Sequence, residues 1–323
     1  MLYILNFWLL TFSVCLQLYN ILNFCVFTAV VKPWHILNLV ESGRALSFNR
    51  MPNTTEDPFL AVEDLYSRYG LFQGSVRLSV SKDLYNISMP KTPLILEKEL
   101  VYVGKSSMNL HTNVLLPSRS LTLASCEVQS VLVDRVTRRP TPHADWWRKK
   151  FGRYTTPSRQ LKVSVQKEPL EEVLGVDGSQ NGKSASQQPV TGGVTAVKGR
   201  GPQDLPVSDS VTSLDLIVCD SDVDSYGHAN WAVYLKYCLD ALIMGTSLES
   251  SKQLKSRAVK LAEVAYIGEG SVGQRIRVNF WKDKTLPQSV HFRIVGLESK
   301  QLITYAFLQF YSLDDVELSI LKL

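Results

Sequence analysis

The sequence predicts an α+β protein built from one buried helix against an antiparallel sheet, with that unit present twice. Three observations predict it. Two helix-like segments, "PWHILNLVESGRALSF" from Pro33 and the apolar run after His228, each precede a series of strand patterns. The motifs "ELVYVGKSS" from Glu99 and "EVAYIGEGS" from Glu263 share the pattern Glu, two apolar residues, Tyr, apolar, Gly, two residues, Ser. A low-complexity stretch separates the two series.

The leading run, Met1 to Val31, carries no charge and is rich in Leu, Ile, Phe and Val, diluted by Asn6, Thr11, Ser13, Gln17, Asn20 and Asn23. It is long enough to span a bilayer, and Lys32, Arg44 and Arg50 after it would leave the bulk of the chain on the cytoplasmic face. It lacks the basic start and small-residue cleavage site of a signal peptide. A membrane anchor, a buried helix of the first domain and a segment outside the working protein all stay open. Pro33 suits a helix start, and Glu41 and Arg44 interrupt that helix's apolar face. "SMNLHTNVLL" and "LTLASCEVQSVLVDRV" follow the Glu99 motif as strands. Residues 166–210 hold no aromatic residue and are rich in Gly, Ser, Gln and Pro, the composition of a flexible linker. The boundaries that result are 1–31, a first domain 32–165, the linker 166–210 and a second domain 211–323.

In the second domain "SLDLIV" reads as a strand. A helix is expected from about Ala229 to Gly245, apolar on most of its circumference except at Lys236 and Asp240. "GQRIRVNFW", "SVHFRIVGL" and "LITYAFLQFY" read as strands, with Ile276, Val278 and Phe280 on one face and Arg275, Arg277 and Asn279 on the other.

Length and composition are those of a globular protein with room for two domains. The net charge of +5 is mild, and the densest basic cluster, Arg148, Lys149, Lys150 and Arg153, reads as a solvated surface. Nothing indicates a nucleic-acid partner. Cys15, Cys25, Cys126, Cys219 and Cys238 form no CxxC, so neither a disulfide framework nor a zinc site is indicated, which fits a reducing compartment. His and carboxylates do not converge at metal-ligand spacing, no Gly-rich phosphate loop occurs, and no cofactor is implied.

The chemistry concentrates in "CDSDVDSYGH", between the "SLDLIV" strand and the apolar helix. A helix N-terminus presents free N–H groups and the positive end of the dipole, suited to a carbonyl oxygen that becomes negative during reaction. Asp224, just ahead of it, could take a proton from water or attack directly, while His228 orients the acid or contacts the carbonyl. The plain alternative is that an Asp before a helix only caps it and that Gly-His is only a turn.

"DSDVDSYGHANWAVYLKYCLDA" closely resembles the signature of hotdog-fold thioesterases of the 4-hydroxybenzoyl-CoA and acyl-ACP type. Asp222 and Asp224 match an Asp-x-Asp pair. Gly227, His228, Asn230, Tyr234 and Leu235 match the rest of the signature, and Asp240 falls where the family often has Glu. The resemblance covers most of residues 211–312. It departs at Tyr226, where plant acyl-ACP thioesterases have Asn, and at Trp231, where many relatives have a second Asn. The first domain resembles the family through "LEKELVYVGKSSMNLHTNVLL" and "VLVDRVTRRPTPHADW" but lacks the Asp-x-Asp element, whose place the apolar run occupies.

The resemblance implies two hotdog units, each a long central helix wrapped by a curved antiparallel sheet, paired as an intrachain pseudo-dimer with the first unit degenerate. Two such pseudo-dimers could associate further as a homodimer. It implies hydrolysis of an acyl-CoA or acyl-ACP thioester, with CoA preferred, and Asp224 as base or nucleophile. His228 would assist, and Gly227, Ala229 and Asn230 would form the oxyanion turn. Asp222 would shape the turn, Asp220 would lie outside the chemistry, and Trp231 and Tyr234 would line the acyl tunnel. Glu41 would either project toward the site from the opposing helix or serve as a helix ion pair. Competing readings are a non-catalytic acyl-binding or scaffold protein and, with less support, dehydration of a hydroxyacyl thioester. Of the other histidines, His111 and His291 are expected on a solvated face, His143 over a sheet edge, and His35 in packing.

Overall fold

The computed structural model describes residues 3–6, 11–16, 31–48, 59–61, 69–86, 89, 91, 93–163, 210–224, 227–247 and 258–312. The strands are β1 (Tyr3–Asn6), β2 (Thr11–Leu16), β3 (Tyr69–Val80), β4 (Leu94–Val103), β5 (Ser107–Leu116), β6 (Leu121–Asp134), β7 (Thr212–Ile217), β8 (Val259–Tyr266), β9 (Arg275–Lys282), β10 (Ser289–Gly296) and β11 (Leu302–Phe310). The helices are α1 (Pro33–Phe48), α2 (Asp145–Phe151) and α3 (Val233–Met244). The linker expected at 166–210 lies, except for Ser210, outside the described residues.

All the strands join one antiparallel sheet in the order β1-β2-β4-β5-β6-β3-β8-β11-β10-β9-β7. The order β2-β4-β5-β6-β3 in the first half is repeated by β7-β9-β10-β11-β8 in the second, each with its helix between the first two strands in sequence. The halves meet where β3 pairs β8, Val76 opposite Val264 and Arg77 opposite Glu263. Glu263 is 3% exposed, and Arg77 Nε lies 2.6 Å from its carboxylate, so the charge at this seam is compensated.

This topology corrects the sequence-level pairing of the two motifs. "ELVYVGKSS" begins on β4, the second strand after α1, whereas "EVAYIGEGS" begins on β8, the first strand after α3. The positional counterpart of β8 is β3, whose "YGLFQGSVRLSV" has poor alternation and a register break between Gln73 and Ser75.

The leading run has the apolar length of a spanning segment, but its described parts are strands. β2 pairs β4 from Thr11↔Glu99 to Leu16↔Leu94, as β7 pairs β9 in the other half, and β1 adds a further strand outside it. Among the described residues no helix is long and apolar enough to cross a membrane.

The main core lies between the sheet and the two long helices, which pack on each other. Ile276, Val278 and Phe280 are all fully buried in it. A second cluster joins Phe48, Phe59, Leu132, Trp147 and Phe151 beneath α2. There His143 is buried against Trp147, ring centroids 4.5 Å apart, and burial pushes its imidazole down to about 4. His291 is not on a solvated face: it is 2% exposed, lies against Trp281 and Phe307, and bonds Asp283 at 2.6 Å.

Candidate active site

The segment from Cys219 to Asn230 is a loop pinned at several points. Asp222 is 5% exposed and accepts from Lys236 Nζ and Tyr237 Oη, both at 2.9 Å, tying the loop to α3. Asp224 N–H donates to His228 O at 2.9 Å, and Gly227 N–H donates to Asp224 O at 3.0 Å. Gly227 closes this turn at φ 77°, where a side chain would be strained. Ala229 N–H reaches Gly270 O at 2.7 Å, fastening the turn to the β8–β9 connection.

A cavity of about 630 Å³ opens between the halves. Asp224, His228, Ala229, Asn230, Trp231 and Tyr234 line it from the second half, and Glu41, Arg44, Phe72, Gln73, Arg135 and Arg138 from the first. Tyr266, Gly268 and Glu269 complete the wall. Trp231 Nε1–H donates to Glu41 at 3.1 Å, while Arg44 grips the same carboxylate. Glu41 is thus paired with Arg44 on α1 and is also one of the residues lining the cavity. Burial would raise its carboxyl, but the bonds and charges of Arg44, the Trp231 bond and nearby Lys98 outweigh that and hold it below the usual carboxylate range.

No protein-family model and no curated protein matches this sequence. Solved structures do match over nearly the whole chain. A protein described as an oleoyl thioesterase, from Lactobacillus plantarum, aligns at TM-score 0.57 and 12% identity, over 94% of this chain and 96% of its own. The 12:0-ACP thioesterase from Umbellularia californica aligns at TM-score 0.56 and 14% identity, over 94% and 98%. An acyl-ACP thioesterase from Bacteroides thetaiotaomicron gives 0.50 and 13%, over 93% and 97%. The fold is the hotdog fold.

Within this hotdog chain the site differs from the sequence-based expectation in three ways. First, α3 begins at Val233 rather than Ala229, because Ala229 and His228 form extended bridges to Val223 and Ser271. Asn230 Oδ1 accepts from Ala232 N–H at 3.0 Å ahead of the helix. The amides of Gly227 and Ala229 are thus engaged by carbonyls and do not form the expected oxyanion pair. Second, Asp240 and Gly227 are not among the residues lining the cavity. Burial, with Asp222 nearby, raises the Asp240 carboxyl against the pull of Lys236 and Lys32. Third, Glu269, Arg135 and Arg138 lie outside the set that the sequence singles out. Their signals are present in "GEG" and "DRVTRR", but only the sheet order brings those two connections together.

Lys98 on β4 is 1% exposed, and its Nζ has no hydrogen-bond partner among the described residues. Burial, helped by Arg44 and opposed by Glu41 and Cys126, pushes its ammonium down to about 7. An unfolded lysine titrates near 10.4, so between roughly pH 7 and 10 the unfolded chain binds more protons and stability rises with pH. Lys98→Met is expected to stabilise the protein by about 1–2 kcal/mol at pH 6 and by much less at pH 9.5. Urea titrations at the two pH values check this, and a gain equal at both would contradict it.

Proposed function

We propose that the chain is an acyl thioester hydrolase. The first half, from β2 through β6, and residues 211–323 would act as two hotdog units paired within one chain, the first lacking a catalytic turn. The observation that carries the reading is the shared cavity, where Asp224 and His228 meet an aromatic wall of Trp231, Tyr234 and Tyr266. Asp224 acts as base toward water or as nucleophile on the thioester carbonyl. His228 and the Asn230 carboxamide, rather than the Gly227 and Ala229 amides, supply donors to the developing oxyanion. Glu41, held by Arg44, fixes the Trp231 ring that borders the acyl chain. Arg44, Arg135 and Arg138 give the cavity cations suited to the phosphates of CoA or of a carrier's phosphopantetheine arm.

The test is a release assay for free thiol with the purified chain, on CoA and carrier-protein thioesters from acetyl to oleoyl. Hydrolysis above background of at least one is expected. Saturable acyl binding without turnover would overturn the hydrolase reading in favour of an acyl-binding protein.

A further inference from the structure

We propose that the basic, aromatic surface formed by the β6–α2 connection and α2 docks on an anionic membrane surface. Between Arg135 and Tyr154 the chain holds seven basic residues and one acidic residue, Asp145. Among the described residues none of Arg148, Lys149, Lys150 and Arg153 meets a carboxylate. Arg153 Nη2 donates to Tyr154 Oη at 2.7 Å, and Lys150 Nζ lies 5.3 Å from the Phe151 ring centre.

The core does not need the apolar side chains exposed here. Trp147 and Phe151, one turn apart, pin α2: both are buried, and Trp147 Nε1–H donates to Leu60 O at 2.7 Å. Trp146 is left 47% exposed, with Lys149 and Lys150 three and four residues on along the same helix face. Ahead of α2 the chain makes a tight turn. Arg138 N–H donates to Asp134 O at 2.9 Å, and the Asp134 carboxylate accepts from Val136 and Thr137 N–H at 3.0 and 2.8 Å. Val136 in this turn is 89% exposed, where turn chemistry favours Gly, Asn or Ser. His143 N–H donates to Lys105 O at 2.9 Å, which brings the exposed Lys105 of the β4–β5 turn to the same surface.

The arrangement selects a bilayer over a folded partner. A protein partner is held by a contiguous apolar patch inside a polar rim. Here single apolar tips, Val136 on a turn and Trp146 on a helix, are set among cations. Such tips enter the headgroup layer while Lys and Arg meet the anionic groups of the lipid. Tryptophan in particular is enriched at that interface. Arg135 and Arg138 of the same turn line the cavity, so docking sets the cavity beside the bilayer. The surface is defined by its own charges and tips, and the inference stands apart from the hydrolase reading.

The experiment is co-sedimentation of the full chain with phosphatidylcholine vesicles, with and without phosphatidylserine, at low and at physiological salt. Binding to the anionic vesicles is expected, weakened by salt and absent with phosphatidylcholine alone. Arg148→Gln, Lys149→Gln and Lys150→Gln together are expected to lower the partition coefficient by roughly 100-fold, and Trp146→Ser by about tenfold. All four positions are exposed, so unfolding temperatures are expected to stay unchanged. Lipids brominated near the headgroup should quench a part of the tryptophan emission that Trp146→Phe removes. No binding to anionic vesicles overturns the inference. So does binding that survives both the triple variant and Trp146→Ser, which places the contact elsewhere on the chain. Saturable binding of an acidic carrier protein, lost in the triple variant and without any vesicle binding, gives the surface to a protein partner and overturns the lipid reading. Absence of thioester hydrolysis moves none of these readouts.

Discussion

Asp224→Asn should lower kcat/KM on any acyl thioester the protein hydrolyses by about 10²- to 10⁴-fold, the usual cost of removing an essential base. Asparagine keeps the shape and hydrogen-bonding reach of the side chain but can neither accept the proton nor attack. The position itself is held by main-chain bonds, from Asp224 N–H to His228 O and from Gly227 N–H to Asp224 O, which the substitution leaves in place. The side chain is exposed, so a stability change within about 0.5 kcal/mol is expected. The pairing of a large rate loss with an unchanged denaturation curve is the diagnostic result. Turnover within a few-fold of the unmodified protein would remove Asp224 from the chemistry, leaving Glu41 and Glu269 as the cavity's remaining carboxylates.

The legibility of each element in the chain depends on how local its determining interactions are. α1 runs from Pro33 to Phe48, the segment its composition marks out, because helix periodicity and a proline start are local signals. The alternation of β9 is equally plain. β3 is hidden because its two glycines, mixed polarity and bulge break the period, and its pairing with both β6 and β8 supplies order that the segment alone does not display. The nine-residue motif misleads for a related reason: a strand ending at a Gly turn recurs in any antiparallel sheet, so likeness of pattern does not fix position. The loop from Asp220 to His228 is visible as chemistry, yet its amides cannot be assigned without knowing that Gly270 O lies opposite Ala229. Glu269 and Arg138 are 131 residues apart in sequence, and only the β3–β8 seam brings the two halves that carry them together.

Asp222→Ala should act on stability where Asp224→Asn acts on rate, although the two residues are neighbours in one loop. Asp222 is buried and receives Tyr237 Oη on one oxygen and Lys236 Nζ on the other. Removing the carboxylate leaves a buried phenol without its acceptor, while Lys236, partly exposed, turns to water. A loss of about 3 kcal/mol is expected in urea denaturation. Tyr237→Phe should cost only about 1 kcal/mol, since it removes the donor and leaves the aspartate its lysine. The double variant should cost less than the two losses added, because the hydroxyl penalised in Asp222→Ala is gone. Activity should also fall in Asp222→Ala, because the side-chain bonds to Lys236 and Tyr237 tie the loop that carries Asp224 to α3. Additive losses would mean that Asp222 and Tyr237 stabilise the fold independently, and that the loop is held in register by its main-chain bridges alone.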